Sequence, residues 1–464
     1  FFFFFFFFFS FLFFFFFFSP PPPPGSWDSG CDLNCGSYYA QHLGDAVRAG
    51  VLSETDVDQA MFRVYRAAFR LGMFDPPHYY NNISNFGPAQ VDTPAHRALA
   101  LSAAEQAMVL LKNDGNLLPL DPTTKVALIG PHFNATQDLI SIYHGTNTLV
   151  SEHSPLMAIK NMGVPVVAAV PGCVGSDGVD PNGDTGCLNT TGFQAAQAAA
   201  RAADVAIVFV GLTPGQMPSN DSSDAREDEG WDRHITSLPG YQEQLIQQVF
   251  AANPKTVVVL IHGAPLSIEW TKANVPSILD AHYPGELGGD AIANVLFGQV
   301  SPAGRTTTLI YPANITQARS ISDMNLRDSG GLTYKYYQGT PLWTFGFGLS
   351  YTTFSFQPVG TTLQTVDAAD LLAHHPKYYR THEPSPAAYT VNVTNTGARA
   401  SDCVVLGFVS SAHADAVPNR ELFGYDRVHL PPGQQDPGGG GGGGGGGGKR
   451  KKRGGERKKK KKKK

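Results

Sequence analysis

The chain has 464 residues, long enough for two or three domains, with 35 Lys and Arg against 39 Asp and Glu. Thirteen of the basic residues sit in Lys449–Lys464, so residues 1–448 keep 22 basic and 38 acidic side chains. Such an acidic body offers no footprint for a nucleic acid, and it suits a soluble protein handling a neutral ligand.

Both ends are compositionally odd. Residues 1–30 form a Phe/Pro low-complexity segment with no basic lead and no small-residue cleavage site. Neither a membrane span nor a signal peptide is expected of it, and a membrane partner follows only if the Phe run is a true span. Residues 436–464 form a Gly/Lys low-complexity tail, an unbroken Gly run over 438–448 followed by a Lys- and Arg-rich end. This tail is expected to be disordered.

Between these ends the elements can be taken in order. Residues 31–75 hold a short polar start and then a helix. Ser53 supplies a cap, Glu54 and Asp56 the acids of a first turn, and Val57, Ala60, Met61, Val64, Ala67 and Ala68 an apolar stripe. That helix needs a partner layer. Residues 76–95 read as a linker rich in Pro, Asn and Gly.

Residues 96–311 have α/β texture. A helix is predicted over His96–Lys112, with Lys112 near its C-terminal carbonyls. Strands are predicted at Val126–Ile129, Val166–Val170, Val205–Val210, Val257–Ile261 and Ser277–Ala281. Helices intervene at Gly192–Ala203 and Gly240–Ala252. Continuous β-branched runs separated by helices imply a mostly parallel sheet covered on both faces. No GxGxxG fingerprint follows the first strand, so a dinucleotide site is not supported. Residues 312–351 read as an extended linker. From about residue 352 to 435, period-two alternation in YTVNVTNTG and VVLGFV suggests a small β-sandwich.

The five cysteines are Cys31, Cys35, Cys173, Cys187 and Cys403. Cys173 and Cys187 bracket a Gly/Asp/Asn-rich loop, and a disulfide between them fits an oxidising compartment. A zinc site is not expected, because no second Cys pair or His cluster has ligand spacing. Glycosylation sequons begin at Asn82, Asn134, Asn189, Asn220, Asn314 and Asn392. They favour a secreted, extracellular glycoprotein.

Glu227-Asp228-Glu229 is an acidic cluster whose local composition reads as a solvated loop, although neighbouring carboxylates can keep one of their number protonated. His262 and His282 end predicted strands and read as structural histidines. Tyr334, Tyr336, Tyr337, Trp343 and Phe345 could stack on sugars, but such residues more often pack one domain on another.

Several segments taken together carry a resemblance. They are CDLNCGSYYAQHLGDAVRAGVLSETDVDQAMFRVYRAAFRLGMFD, LALSAAEQAMVLLKNDGNLLPL, ADVAIVFVGL, EDEGWDRHITSLPGYQEQLI, YPGELGGDAIANVLFGQVSPAGR, GLTYKYYQGTPLWTFGFGLSYTTF, YTVNVTNTG and ELFGYDRVHLPPG. The ordered set, over about Cys31–Gly433, resembles glycoside hydrolase family 3. DLNCG at Asp32–Gly36 is similar to its plant and fungal β-xylosidase branch.

The resemblance implies a (β/α)8 barrel, an α/β sandwich and a fibronectin-III-like domain, in that order. Residues 31–75 then match only the end of the barrel, and the last domain is truncated. It also implies a retaining exo-hydrolase that releases xylose from xylo-oligosaccharides with two carboxyl groups and no metal or organic cofactor. Glu229, before Gly230, matches the acid/base, with Glu227 as runner-up. Asp232 and Arg233 would pin the loop. The nucleophile is an Asp of the barrel, which is expected to be absent, so the chain alone is expected to be inactive.

Ser401-Asp402-Cys403 matches the nucleophile motif but lies in the wrong domain. The stretch from Thr213 to Arg226 is longer than the family pattern, and Leu332 stands where relatives tend to have Arg. Arabinofuranosidase and glucosidase specificity stay open. So do a non-catalytic carbohydrate-binding protein and a mis-assembled gene.

Overall fold

The structure is a computed structural model. It describes residues 30–76, 87–145, 150–173, 187–214, 226–227, 233–320, 322–359, 369, 388–410 and 418–441. The chain divides into two compact units, Phe1–His96 and Arg97–Lys464.

In the first unit, α1 (Tyr38–Arg48) is followed by α2 (Glu54–Arg70). Ser53 starts α2 with a reciprocal cap. Its hydroxyl accepts from the Asp56 backbone N–H, and the Asp56 carboxylate accepts from the Ser53 N–H at 3.0 Å. Arg63 reaches back to Asp32 with two nitrogens at 2.6–2.9 Å. Of α2 only Ala60 is buried, while Met61, Phe62, Tyr65 and Phe69 are exposed.

The second unit is built on a six-stranded sheet. Its strands are β1 (Val109–Asn113), β2 (Val126–Ile129), β3 (Val166–Val170), β4 (Val205–Gly211), β7 (Thr256–Ile261) and β8 (Ser277–Asp280). Two short strands, β5 (Thr213–Pro214) and β6 (Arg226–Glu227), pair with each other after β4. The order across the large sheet is β1-β8-β7-β4-β2-β3. All neighbours run parallel except β1, which is antiparallel to β8.

Burial follows the two-residue period of the strands. Leu128, Ile207, Phe209, Val259 and Leu279 point to one face, where they meet Ile159 of α4 (Pro155–Asn161) and Ile292 of α8 (Gly288–Leu296). Ala127, Ile129, Val208, Val210, Val258 and Ile278 point to the other. There they meet Ala196 and Ala199 of α5 (Phe193–Ala202) and Leu245, Ile246 and Val249 of α6 (Gln242–Ala252). Two covered faces explain why β4 and β7 read as unbroken apolar runs.

The predicted helix His96–Lys112 needs correction. Helix α3 covers Pro94–Ala107, and β1 begins at Val109. Met108–Leu111 are four consecutive residues at 0–2% exposure, a pattern no surface helix can bury but a strand covered on both faces can. Lys112 still serves carbonyls at a helix end, but of a different helix. Its Nζ donates to Lys272 O at 2.6 Å, near the end of α7 (Glu269–Asn274).

The 312–351 stretch is more than a linker. Leu349 forms an antiparallel bridge with Leu110, Trp343 another with Ile310, and the buried Trp343 indole N–H donates to Leu111 O at 3.1 Å. This segment therefore lies along the outer edge of β1. Tyr334 and Phe345 stack at 4.4 Å, with Phe408 edge-on to both. These aromatics join the α/β layer to the β-rich end.

That end has two antiparallel sheets. β9 (Phe354–Val359), β10 (Ala388–Asn395) and β13 (Gln435–Gly441) form one, and β11 (Ser401–Val409) with β12 (Glu421–Leu430) the other. Val393, Cys403, Val428 and Leu430 fill the core between them. The tail expected from residue 436 begins inside β13, where Asp436–Gly441 pair with β10. Backbone pairing needs no side chain, and β10 supplies a ready edge. The rest of the tail, and residues 1–29, lie outside the described residues.

Candidate functional site

In chain order the five parallel strands lie 2-1-3-4-5, so the crossovers leave β2 in opposite directions. Open sheets of this kind bind ligands beyond the carboxyl ends of the strands, at that switch point. Here the backbone turns sharply at Gly130 after β2 (φ 106°) and at Gly211 ending β4 (φ 149°). A Cβ on Gly130 would lie 2.1 Å from Phe209 O, and one on Gly211 would lie 1.8 Å from Ile261 O. Only glycine lets the strands part this closely. The buried Gln242 amide holds the opening, donating to Gly211 O at 2.9 Å and accepting from Gly211 N–H at 2.8 Å.

Polar groups gather at these same ends. Glu227, on β6, accepts from Gly263 N–H at 2.7 Å, from Ala264 N–H, and from the Tyr283 hydroxyl at 2.7 Å. The carboxylate thus ties β6 to the turns after β7 and β8 through three donors. Burial, and then the neighbouring Glu227, push the Tyr283 phenol well above its ordinary range, so it stays a donor.

His132, after β2, is wholly buried, and its Nε2–H donates to Leu212 O at 3.1 Å. Burial pulls its pKa down to about 4, against the help of that carbonyl. Asp138 lies 4.0 Å from the same nitrogen.

His262, Asp280 and His282 form a second group. Asp280 Oδ1 is 3.0 Å from His262 Nε2, 3.3 Å from His282 Nδ1, and accepts from the His282 backbone N–H at 3.1 Å. Burial works against the charge on each. For Asp280 the two imidazoles outweigh it and hold the carboxyl at about 2. For His262, Asp280 backed by Glu227 outweighs burial, and the pKa rises. For the more open His282 burial prevails over Asp280, and the pKa falls. Asp280 and the Ala264 backbone lie beside the His262 ring, yet neither ring nitrogen has a partner in hydrogen-bond geometry.

Of the residues singled out from sequence, Glu227 is thus placed, while Glu229, Asp228 and Asp232 lie outside the described residues. Arg233 donates to Ser237 O at 2.8 Å within its own loop. Cys173 and Cys187 are bonded to each other and buried. Asn134 is exposed and accepts from the Ser154 hydroxyl, Asn189 accepts from Thr191, Asn314 is exposed ahead of a short helix, and Asn392 is half-buried in β10. Asn82 and Asn220 lie outside the described residues. Asp402 is spoken for: Arg427 Nε and His429 Nδ1 both lie 2.7 Å from its carboxylate, across β11 and β12. His262 and His282, read as separate structural histidines, share Asp280, which sequence reasoning missed. The available signal was an acid closing the apolar run SILD, with His two residues on.

An α/β layer with a carboxylate-bearing loop over its strand ends defines a class, and comparison with known proteins identifies it. Residues 108–351 match the glycosyl hydrolase family 3 C-terminal domain. The chain belongs to glycosyl hydrolase family 3. It is 34% identical over 429 residues to Beta-D-xylosidase 1 of Arabidopsis thaliana, covering 87% of this chain and 52% of that protein. It is 33% identical over 429 residues to Exo-1,4-beta-xylosidase xlnD of Aspergillus awamori, covering 86% and 49%.

Among solved structures, a GH3 exo-beta-xylosidase (XlnD) in complex with a xylobiose aziridine activity based probe superposes with a TM-score of 0.72 at 30% identity, covering 89% of this chain and 52% of that one. A GH3 beta-glucosidase of Bifidobacterium adolescentis gives 0.66 at 27% identity, covering 89% and 56%. The chain spans about half the length of the curated relatives it matches.

Proposed function

We propose that the chain is the acid/base-bearing portion of an exo-acting β-xylosidase that releases terminal xylose from xylo-oligosaccharides with retention. Xylosidases among its relatives support the substrate class. The observation that carries the residue assignment is the engagement of Glu227. Each of its three hydrogen-bond partners brings a proton. A general acid must instead keep a proton to hand to the leaving oxygen. Glu227 is therefore the anchor of the loop, and Glu229, two residues on, is the acid/base. In this reading α1 and α2 are the closing part of a (β/α)8 barrel that supplies the nucleophile, and β9–β13 belong to a fibronectin-III-like domain. The sequons and the Cys173–Cys187 disulfide support a secreted, extracellular glycoprotein.

A chimera tests the assignment. The remaining half of Beta-D-xylosidase 1 would be joined ahead of this chain's matching region and assayed on aryl xylosides. Glu229→Ala should lower kcat on poor leaving groups about 100-fold or more, spare activated ones in the first step, and respond to azide. The 464-residue chain alone serves as the control and is expected to be silent. If Glu227→Ala gives that pattern while Glu229→Ala stays near wild type, the assignment is reversed.

A further inference from the structure

The group His262–Asp280–His282 is not used by the two-carboxyl chemistry, and it is built in an unusual way. Asp280 is 1% exposed and His262 2% exposed at the ends of two adjacent parallel strands. One ligand atom from each of the three residues falls within 4.8 Å of the others. Metal bonds of about 2.1 Å place tetrahedral ligands about 3.4 Å apart. The Asp280 Oδ1 distances of 3.0 and 3.3 Å already suit two edges of such a set. The remaining edge joins the two rings, and the His282 side chain, about one-third exposed, has room to turn toward it.

One feature points to a missing partner, and a second fixes the site. Neither ring nitrogen of the buried His262 has a partner in hydrogen-bond geometry, although Nε2 pairs with Asp280 Oδ1 at 3.0 Å. Buried polar atoms are rarely left so, and an unexplained case invites an ion. His282 also holds a left-handed backbone (φ 54°), which is uncommon outside glycine. That conformation brings its N–H back onto Asp280, fixing the carboxylate between the rings.

We propose that His262, Asp280 and His282 form a binding site for a divalent d-block cation of the zinc class, entered past His282. Two imidazoles and one carboxylate suit such an ion and leave a position for water. The bound ion would clamp the ends of β7 and β8 beneath the turn that anchors Glu227. Spacing in the sequence could pair Asp280 with His282, but His262 joins them only because β7 and β8 become neighbours in the folded sheet.

The test uses the whole 464-residue chain, stripped with EDTA and titrated with Zn2+ by calorimetry at pH 7.5. One equivalent should bind, and Co2+ should give a visible band of nitrogen and oxygen ligation. His282→Ala, at the half-open position, and Asp280→Asn should each weaken binding at least 10-fold, with folding checked by circular dichroism. Failure to bind in a folded chain overturns the proposal. So does stoichiometric binding that His282→Ala leaves unchanged, which would place the ion elsewhere. Histidine NMR offers a further check: a His262 imidazolium paired with Asp280 and indifferent to Zn2+ would also overturn it.

Discussion

His132 shows what one buried side chain does to the pH dependence of the whole fold. Its folded pKa of about 4 lies below the 6.5 of a free imidazole. Between those values the unfolded chain holds a proton that the folded chain lacks. Stability therefore falls as pH drops from about 6.5 to about 4, and this contribution is constant below that. The shift corresponds to about 3 kcal/mol in full, with about 2 kcal/mol of it lost between pH 7 and pH 5. Urea midpoints at those two pH values should show the loss, and His132→Gln, which can still donate to Leu212 O, should flatten it. Asp280 acts in a lower window. Held at about 2, it stabilises the fold above its ordinary value near 3.8, and that gain disappears as pH falls toward 2. Glu227 offers a second residue-scale prediction. Glu227→Gln turns an N–H toward a set of donors, so it should cost about 2 kcal/mol in denaturation of the chain itself, apart from any effect on turnover.

At the scale of elements, steric limits at strand ends matter more than propensity. Gly211→Ala would drive a methyl group into Ile261 O, where β4 and β7 pair, and should cost more than about 2 kcal/mol by thermal denaturation. Phe209→Ala, wholly buried in β4, should cost about 3–5 kcal/mol by the same measure. Most strands were legible because a parallel strand covered on both faces must be an unbroken apolar run, as Val257–Ile261 is. Helix α2 was legible from the Ser53 cap, the acids of its first turn and its apolar stripe together. β1 was not. Its residues continue an alanine-rich helical stretch, and only the open edge of β8, made by distant sequence, turns them into a strand. The polar site was half legible for the same reason. Glu227 and the histidines could be picked out one by one, but their joining through Gly263, Tyr283 and Asp280 depends on which strands lie side by side.

For the molecule as a whole, covalent closure and layer order decide stability. The Cys173–Cys187 bond closes a loop of 14 residues' separation, for which chain-entropy reasoning gives about 3 kcal/mol. Cys173→Ser with Cys187→Ser should lower the urea-derived stability by about 2–4 kcal/mol, and dithiothreitol should reproduce the change in the parent chain.

The strip from Ile310 to Leu349 sets where the α/β domain can be cut. Composition suggests a natural end near residue 311, yet that cut would remove Trp343 and Leu349 from the outer edge of β1. The exposed edge would be a flat row of free N–H and C=O groups over Val109–Leu111, an invitation to pair with another molecule. A polypeptide ending at 311 should come out as aggregate, and one ending at 351 as monomer, by size-exclusion chromatography. The stretch that reads as a tether is, in manufacturing terms, the selvedge that stops the sheet from unravelling into its neighbours.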